Sequence, residues 1–455
     1  MSSDGLGGEQ QVFLPNDNVH VRSARWQLVL VVTLVAVALT AGVSIAAGDL
    51  DWDGTEPRDL SDSAPNRAWH SAIAADPSGR IVVAWSDQEL YGDVARDIYV
   101  RRSDDSGSTW FAPEVISATA LVSALPDACV KEGRAFVAWV DQSSIGGLNV
   151  ALYEAEVGAG SARRIPSPVS LTSTRPRLAA SSTRLHVVFN AGANILHASR
   201  PLTATAWPTA TPAYTSTALL LPWFPMVAAG SDGQTLHVVW QERTLEGWTI
   251  MYGHGTVNGD TVDWQPPLQL YTGSVEAFYP AIAADSEGSL HVVWGEAVGT
   301  GPLDQRKQNV RYTRYDVSSG EWISPAVSID PNPVYVNRDN PTYTAPSMAV
   351  WERGNRAEIC VAWHGFRAGA FGEDVLLSCS SDRGRSWSVP WNVSGSSDVE
   401  GISIAPAIAF DRWGRLHGVW QEHRADMGND IIYDYQVYYS HALTKVFLIF
   451  VARYG

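Results

Sequence analysis

The chain has 455 residues, a formal net charge of −16 and three cysteines. An acidic excess of this size excludes a general nucleic-acid binder, because such proteins need a basic surface to contact phosphates. Three cysteines are too few for a scaffold that disulfides hold together.

The N-terminal part of the chain predicts a membrane anchor. Residues 26–47 form a run of 22 uncharged residues, and about 20 suffice to cross a bilayer as a helix. Two arginines precede this run and three aspartates follow it, so the positive-inside rule predicts a cytoplasmic segment, 1–25, and an extracellular domain after a linker, 48–56. A cleaved signal peptide is the alternative interpretation, because residues 44–46 resemble a cleavage site.

A repeated pattern occupies residues 57–441. Seven times, an apolar run that usually begins with proline is followed by a second run that ends in an aromatic residue. These closing aromatics are 50 to 69 residues apart: Trp85, Trp139, Phe189, Trp240, Trp294, Trp363 and Trp420. Repeats of this length that consist of short strands are typical of β-propellers, in which each repeat forms one blade. The predicted fold is therefore an all-β propeller of seven four-stranded blades, preceded by one transmembrane helix.

The seventh repeat lacks a fourth strand, whereas residues 57–61 match the fourth-strand pattern ahead of the first repeat. We therefore predict that this N-terminal strand completes the last blade and closes the ring, leaving no open sheet edge. Six blades are the alternative, because the third repeat has Phe189 in place of tryptophan and no clear fourth strand. An array of immunoglobulin-type sandwiches would not explain the displaced strand. Residues 442–455 form an apolar tail that is too short to span a membrane.

The cysteine positions allow one disulfide, which the sequence alone does not establish. Cys360 and Cys379 fall on consecutive strands of the sixth repeat, where a symmetric register would make them cross-strand neighbours. A register slip of one residue would instead place them on opposite faces. Cys129 occupies a position that alanine holds in other repeats, which indicates a small core residue.

Two polar residue types recur near the closing aromatics. Five repeats place a carboxylate two positions after the closing aromatic: Asp87, Asp141, Glu242, Glu296 and Glu422. These could form a ring of acids around the axis, but a residue repeated in many blades more often has a structural role. Four repeats place a histidine three positions before the aromatic: His186, His237, His291 and His417. We expect these histidines to pack between blades, because zinc ligands must converge on one point.

Residues 103–110 and 380–387 both fit Ser-x-Asp-x-Gly-x-[Ser/Thr]-Trp, at the same point of the repeat. In such a turn the aspartate accepts backbone N–H groups, glycine takes a positive φ and tryptophan packs into the blade. The motif resembles the Asp box, or bacterial neuraminidase repeat, of the sialidase superfamily, and residues 315–322 resemble a decayed third copy. Its predicted structural residues are Ser103, Asp105, Gly107, Trp110, Ser380, Asp382, Gly384 and Trp387.

The resemblance implies a site on the propeller face opposite the Asp boxes. Arginines there would capture a carboxylate, a tyrosine activated by a glutamate would act as nucleophile, and an aspartate would act as acid and base. The catalytic candidates are Arg338, Tyr343, Arg367, Glu400, Arg424, Asp87 and Asp93. The binding candidates are Trp69, Trp223, Phe224, Tyr279, Tyr343 and Glu422. The family's Phe/Tyr-Arg-Ile-Pro motif is missing around residues 57–67, and its enzymes typically have six blades.

The sequence therefore favours a membrane-anchored extracellular propeller that binds a glycan or a protein without chemistry. The alternative is an exo-α-sialidase-type glycoside hydrolase, which convergence of three arginines in one axial pocket would favour. Because the five recurrent carboxylates would repel an anion, we expect a neutral or cationic ligand, or a protein. No cofactor, no metal and no nucleic-acid partner are expected.

Overall fold

The computed structural model describes residues 50–51, 57–61, 67–76, 78–88, 96–117, 122–142, 150–158, 162–168, 171, 174–216, 221–245, 247–271, 276–298, 307–335, 345–354, 356–366, 372–395, 401–423 and 435–444. They form strands and turns, and none of these segments is a helix that could cross a bilayer. The predicted cytoplasmic segment 1–25 and anchor 26–47 lie outside the described residues, as do most of the linker 48–56 and of the tail 442–455.

The strands are numbered in chain order. β1 (Leu50–Asp51) pairs with β32 (Leu443–Thr444), and β2 (Arg58–Asp59) belongs to the last blade. Blade 1 contains β3 (Arg67–Ala75), β4 (Ile81–Gln88), β5 (Asp97–Ser103) and β6 (Glu114–Val115). Blade 2 contains β7 (Val122–Lys131), β8 (Arg134–Gln142), β9 (Val150–Glu156) and β10 (Arg163–Ile165). Blade 3 contains β11 (Arg177–Ala180), β12 (Arg184–Ala191), β13 (Asn194–Pro201) and β14 (Thr211–Thr215).

Blades 4 and 5 each have a fourth strand in two pieces. Blade 4 contains β15 (Pro222–Ala229), β16 (Thr235–Thr244), β17 (Gly247–Asn258), β18 (Thr261–Trp264) and β19 (Leu268–Gln269). Blade 5 contains β20 (Glu276–Ala284), β21 (Leu290–Val298), β22 (Lys307–Asp316), β23 (Glu321–Trp322) and β24 (Val327–Ser328). Blade 6 contains β25 (Ser347–Arg353), β26 (Arg356–Gly365), β27 (Asp374–Ser380) and β28 (Trp391–Asn392). Blade 7 contains β29 (Ile402–Phe410), β30 (Leu416–His423) and β31 (Gln436–His441), completed by β2.

Seven antiparallel sheets confirm the predicted propeller, and the six-blade alternative is wrong. Blade 3, the weakest repeat in the sequence, has a complete fourth strand, β14, which pairs with β13 through a bulge. Phe189 replaces tryptophan there without loss of burial, because it is fully enclosed in a cluster that also contains Trp207. Apolar clusters of this kind join neighbouring blades, so the core lies between the sheets.

The N-terminal strand closes the ring as predicted. Arg58 pairs with Tyr439 and Asp59 with Tyr438, which makes β2 the fourth strand of blade 7. The next residue, Leu60, donates its backbone N–H to the Val437 carbonyl over 2.8 Å and is fully buried between blades 7 and 1. The last blade therefore has no open edge at this position.

The two sequence-matched turns are held by the same hydrogen bonds. In the first turn, Gly107 N–H donates to Ser103 Oγ, and Thr109 N–H donates to Asp105 Oδ1, each over 2.8 Å. In the second turn, the equivalent bonds run from Gly384 to Ser380 and from Ser386 to Asp382, also over 2.8 Å. The aspartates therefore cap turns, as predicted for these positions.

Each of these turns also packs against a tyrosine of the preceding blade in the ring. Gly107 has a φ of +83°, and a Cβ there would collide with the hydroxyl of Tyr439 in blade 7. The Trp110 ring meets the Tyr439 ring edge-on at 4.9 Å, and the Tyr439 hydroxyl lies 2.8 Å from His417 Nδ1. The second turn repeats the arrangement with Gly384, Trp387, Tyr312 and His291. His291 and His417 thus each contact a tyrosine hydroxyl on the next strand of their own blade, and packing of the recurrent histidines between blades stays a prediction.

Cys360 and Cys379 are direct cross-strand partners on β26 and β27. Their sulfur atoms form a disulfide, which settles the register alternative that the sequence leaves open. Cys129 is half-buried against the core between blades 2 and 3, and burial raises the pKa of its thiol to about 12.

Candidate functional site

The main cavity lies on the propeller axis and has a volume of about 290 Å³. Its walls are the starts of the first strands of all seven blades, together with His364 and Gln421 near the ends of two second strands. One residue per blade, directly before the proline or serine of the first apolar run, lines it. We call these residues the axial ring: His70, Leu125, Arg175, Phe224, Tyr279, Ala345 and Ala405.

The backbone of the axial ring is unusual. In five blades the first strand contains a register shift at this point, and the ring residue there has a positive φ of 49–56°: His70, Leu125, Phe224, Tyr279 and Ala405. A β-bulge redirects a side chain that would otherwise follow the strand alternation. Non-glycine residues at such φ values cost about 1–3 kcal/mol each and cluster at functional sites. In these five blades the repeated bulge therefore aims one variable side chain at the axis.

His70 lies in the cavity wall, and the charges of three arginines act on it. Burial, together with the positive charges of Arg175, Arg96 and Arg177, lowers the pKa of His70 to about 3. His70 is therefore neutral over the physiological range, and its Nδ1 is buried without a hydrogen-bond partner among the described residues. Among the described residues that line the cavity, two arginines, Arg175 and Arg177, converge rather than three, and the sequence did not single them out.

Arg175 is the central cation of the site. Its guanidinium lies 4.6 Å from the centre of the Phe224 ring, a cation–π contact. Burial and the neighbouring charge of Arg177 lower the pKa of Arg175 to about 10, and no described carboxylate compensates this effect. Because an uncompensated charge in a cavity is costly, Arg175 favours an anionic ligand.

Arg177 is only partly neutralised within the protein. Its Nη1 lies 3.2 Å from Asp127 Oδ1, while Asp127 Oδ2 accepts the backbone N–H of Leu178 over 2.7 Å. Burial raises the pKa of Asp127, and the charge of Arg177 opposes that effect. Asp127 is the one carboxylate among the described residues that line the cavity, against two lining arginines. The described lining of the cavity is therefore cationic in a strongly acidic protein.

The predicted binding aromatics fall into two groups. Phe224 and Tyr279 lie in the cavity wall with ring centres 4.5 Å apart. Trp223 and Trp69 lie beside the cavity: Trp223 contacts the Phe224 ring at 5.9 Å, and Arg96 stacks on Trp69 at 4.5 Å. These four side chains therefore lie in or next to the cavity wall, and their role in binding stays a prediction.

The recurrent carboxylates do not form a ring of acids in the cavity. Asp87 accepts the indole N–H of Trp85 over 3.0 Å, and Glu422 accepts that of Trp420 over 2.7 Å. Asp141 and Glu242 bind Trp139 and Trp240 in the same way, whereas Glu296 accepts the Tyr271 hydroxyl. All five are at least 93% buried, none lines the cavity, and the expectation that they would repel an anion is therefore wrong. Asp87 and Glu422 thus each bond to a tryptophan of their own strand rather than lining the cavity.

The remaining catalytic candidates, Arg338, Tyr343, Arg367, Glu400, Arg424 and Asp93, lie outside the described residues. Sequence reasoning missed Arg96, Arg175 and Arg177. The position before the first-strand proline would have found Arg175, because that position lines the axis in every blade.

Within the described ranges, one group of side chains has the spacing of metal ligands: Glu358, Cys360 and Cys379. The two cysteines are joined in a disulfide, so they offer no thiolate to a metal.

The fold and the site together define a seven-bladed propeller with a cationic axial cavity. No protein-family model matches the chain, and no curated protein sequence matches it. Its structural neighbours are sialidases and propeller polysaccharide lyases. A PL25 ulvan lyase matches with 10% identity and a TM-score of 0.56, over 85% of this chain and 96% of that chain.

Two sialidase structures are also similar. The intramolecular trans-sialidase of Ruminococcus gnavus matches with 11% identity and a TM-score of 0.47, over 88% of this chain and 97% of that chain. The sialidase of Trypanosoma rangeli matches with 11% identity and a TM-score of 0.45, over 87% of this chain and 57% of that chain. At 10% identity, the similarity to the lyase shows a shared fold alone.

Proposed function

We propose that this protein is a membrane-anchored extracellular propeller, built on Asp boxes, that binds an acidic saccharide in its axial cavity. The observation that carries the proposal is the pair Arg175 and Arg177 in a cavity with a single described carboxylate, Asp127. A carboxylate or sulfate group would supply the missing negative charge and accept paired N–H bonds from a guanidinium.

A saccharide fits the rest of the wall better than an inorganic anion does. Phe224 and Tyr279 present rings next to the arginine, and a pocket of this kind combines apolar surface with a few polar groups that orient a ligand. The ulvan lyase of similar fold has been solved with -[GlcA(1-4)Rha3S]- bound. That complex supports the choice of an acidic saccharide, whereas the charge of the cavity carries the proposal.

The proposed binding is tested by calorimetry with matched ligands. Uronic-acid oligosaccharides should bind the purified propeller, while oligosaccharides with the carboxylate reduced to an alcohol should bind at least about tenfold more weakly, since a charged hydrogen bond contributes about 1.5–3 kcal/mol. Added salt should weaken the first interaction and leave the second unchanged. Equal affinity for the acidic and the reduced ligands would contradict the proposal.

The anchor is part of the proposed function. The apolar run at 26–47 would hold the propeller at the outer surface of the cell membrane as a single-pass protein. The full chain should then sediment with membranes and be digested by protease added to intact cells. A soluble mature chain that begins near residue 47 would show a cleaved signal peptide instead.

A sialidase-type hydrolase is the second candidate, and the two arginines in the cavity wall, Arg175 and Arg177, favour it. One of its predicted carboxylates, Asp87, accepts the indole N–H of Trp85 instead. We therefore expect no release of sialic acid from a fluorogenic sialoside. Turnover that Arg338→Ala or Tyr343→Phe abolishes would replace the binding proposal with the enzyme.

A further inference from the structure

A row of aromatic rings leads away from the cavity across blade 4. Phe224 lies in the cavity wall, Trp223 follows at 5.9 Å between ring centres, and Trp248 follows Trp223 at 6.4 Å. We call Phe224, Trp223 and Trp248 the aromatic track. Arg175 stacks on the inner end of this track, which makes the track continuous with the cationic site.

The topology of blade 4 gives the track its direction. Trp223 and Phe224 belong to β15, a first strand, and first strands line the axis. Trp248 belongs to β17, the third strand of the sheet order β15-β16-β17-β18, at the end that follows the turn from β16. The track therefore runs outward from the axis, on the face where the cavity lies.

The outer part of the track is open to solvent. Trp223 is 38% exposed and Trp248 is partly exposed, whereas the closing tryptophans of the blades are fully enclosed. Because the bulge at Trp223 and Phe224 turns two consecutive aromatics toward one side, core packing does not account for this arrangement. Exposed aromatic surface that borders a binding cavity marks an extension of that site.

We propose that the ligand is an oligosaccharide chain whose acidic unit occupies the axial cavity and whose further units stack on Trp223 and Trp248. This inference rests on the proposed function, and it adds the length and the path of the ligand. Indole rings suit this role because they offer a large flat apolar face to the apolar face of a sugar ring. The chain leaves the cavity over blade 4 rather than along the axis.

A length series tests the inference. Uronic-acid di-, tetra- and hexasaccharides are titrated into wild type, and the affinity should rise with each step. Trp223→Ala and Trp248→Ala should each weaken the hexasaccharide by about tenfold and the disaccharide by less than about twofold. Trp413→Ala is the matched control, since Trp413 is 58% exposed at the turn between β29 and β30, the far end of a first strand.

The outcomes separate the two proposals. If no uronic-acid ligand of any length binds, the proposed function fails. If acidic ligands bind but affinity does not depend on length, or both tryptophan variants bind the hexasaccharide like wild type, the function stands and the track inference is overturned. Trp223→Phe should keep most of the affinity for the hexasaccharide, which distinguishes stacking from damage to the fold.

Discussion

A chain that lacks residues 48–62 should lose its cooperative thermal transition. The deletion removes β2 and exposes the edge of β31, and it also removes Leu60 from the core between blades 7 and 1. The bond from the Leu60 N–H to the Val437 carbonyl and the buried bond from the Ser61 hydroxyl to Gln436 Oε1 are lost as well. Without β2 the ring is open at blade 7, and the apolar faces of blades 7 and 1 are exposed to water. The loss of stability should therefore exceed the loss of the contacts that residues 57–61 make.

Leu60→Ala gives a graded version of the same experiment. Removal of a fully buried leucine side chain costs about 2–5 kcal/mol, and chemical denaturation should show a loss in that range. Arg58→Ala in the same strand is the control, because Arg58 is exposed and surface substitutions usually change stability by less than about 0.5 kcal/mol. An unchanged midpoint for both Leu60→Ala and the deletion would show that β2 does not close the blade.

Arg175→Ala should abolish most of the affinity for an acidic saccharide. Loss of a charged hydrogen-bond donor in an enclosed site is worth about 1.5–3 kcal/mol, or about ten- to a hundredfold in affinity. The variant should remain folded, since it removes a cation from the side of Arg177 without leaving a described carboxylate unpaired. Calorimetry with the uronic-acid ligand gives the affinity, and a melting curve confirms the fold.

Arg353→Ala is the matched control for this experiment, because Arg353 is exposed at the turn between β25 and β26, away from the cavity. Its affinity should equal that of wild type. An equal loss in both variants would indicate that the overall charge, rather than the axial site, governs binding, and full affinity in Arg175→Ala would place the ligand elsewhere.

The architecture could be predicted because it depends on a pattern that repeats. A closing aromatic with apolar runs before it specifies the same buried strand pair seven times, so one weak copy, around Phe189, does not hide the fold. The displaced strand at residues 57–61 was visible because the last repeat is short by one strand. Local turns such as 103–110 follow from the chemistry of aspartate and glycine alone.

The site was harder to predict than the fold, because it depends on the direction of single side chains, which the repeat period does not specify. Asp87 was expected near a ligand, yet it stands two positions after Trp85 in the same strand, and residues at this spacing point to one face. That rule predicts the indole–carboxylate bond from the sequence alone. Arg175 lies directly before a first-strand proline, at the position that a bulge turns inward in five other blades, and strand alternation alone does not predict this direction.

The residues of the axial ring, which would contact a ligand, differ from the residues that form the core between the blades. Five of the seven blades supply the same backbone geometry at this position, whereas the side chains of the ring range from alanine to arginine and tyrosine. None of the seven residues belongs to the apolar clusters found between the blades in the described part of the chain. A new ligand preference could therefore arise by exchanges at seven positions, with the scaffold left unaltered, which makes this propeller a natural starting point for engineered carbohydrate receptors.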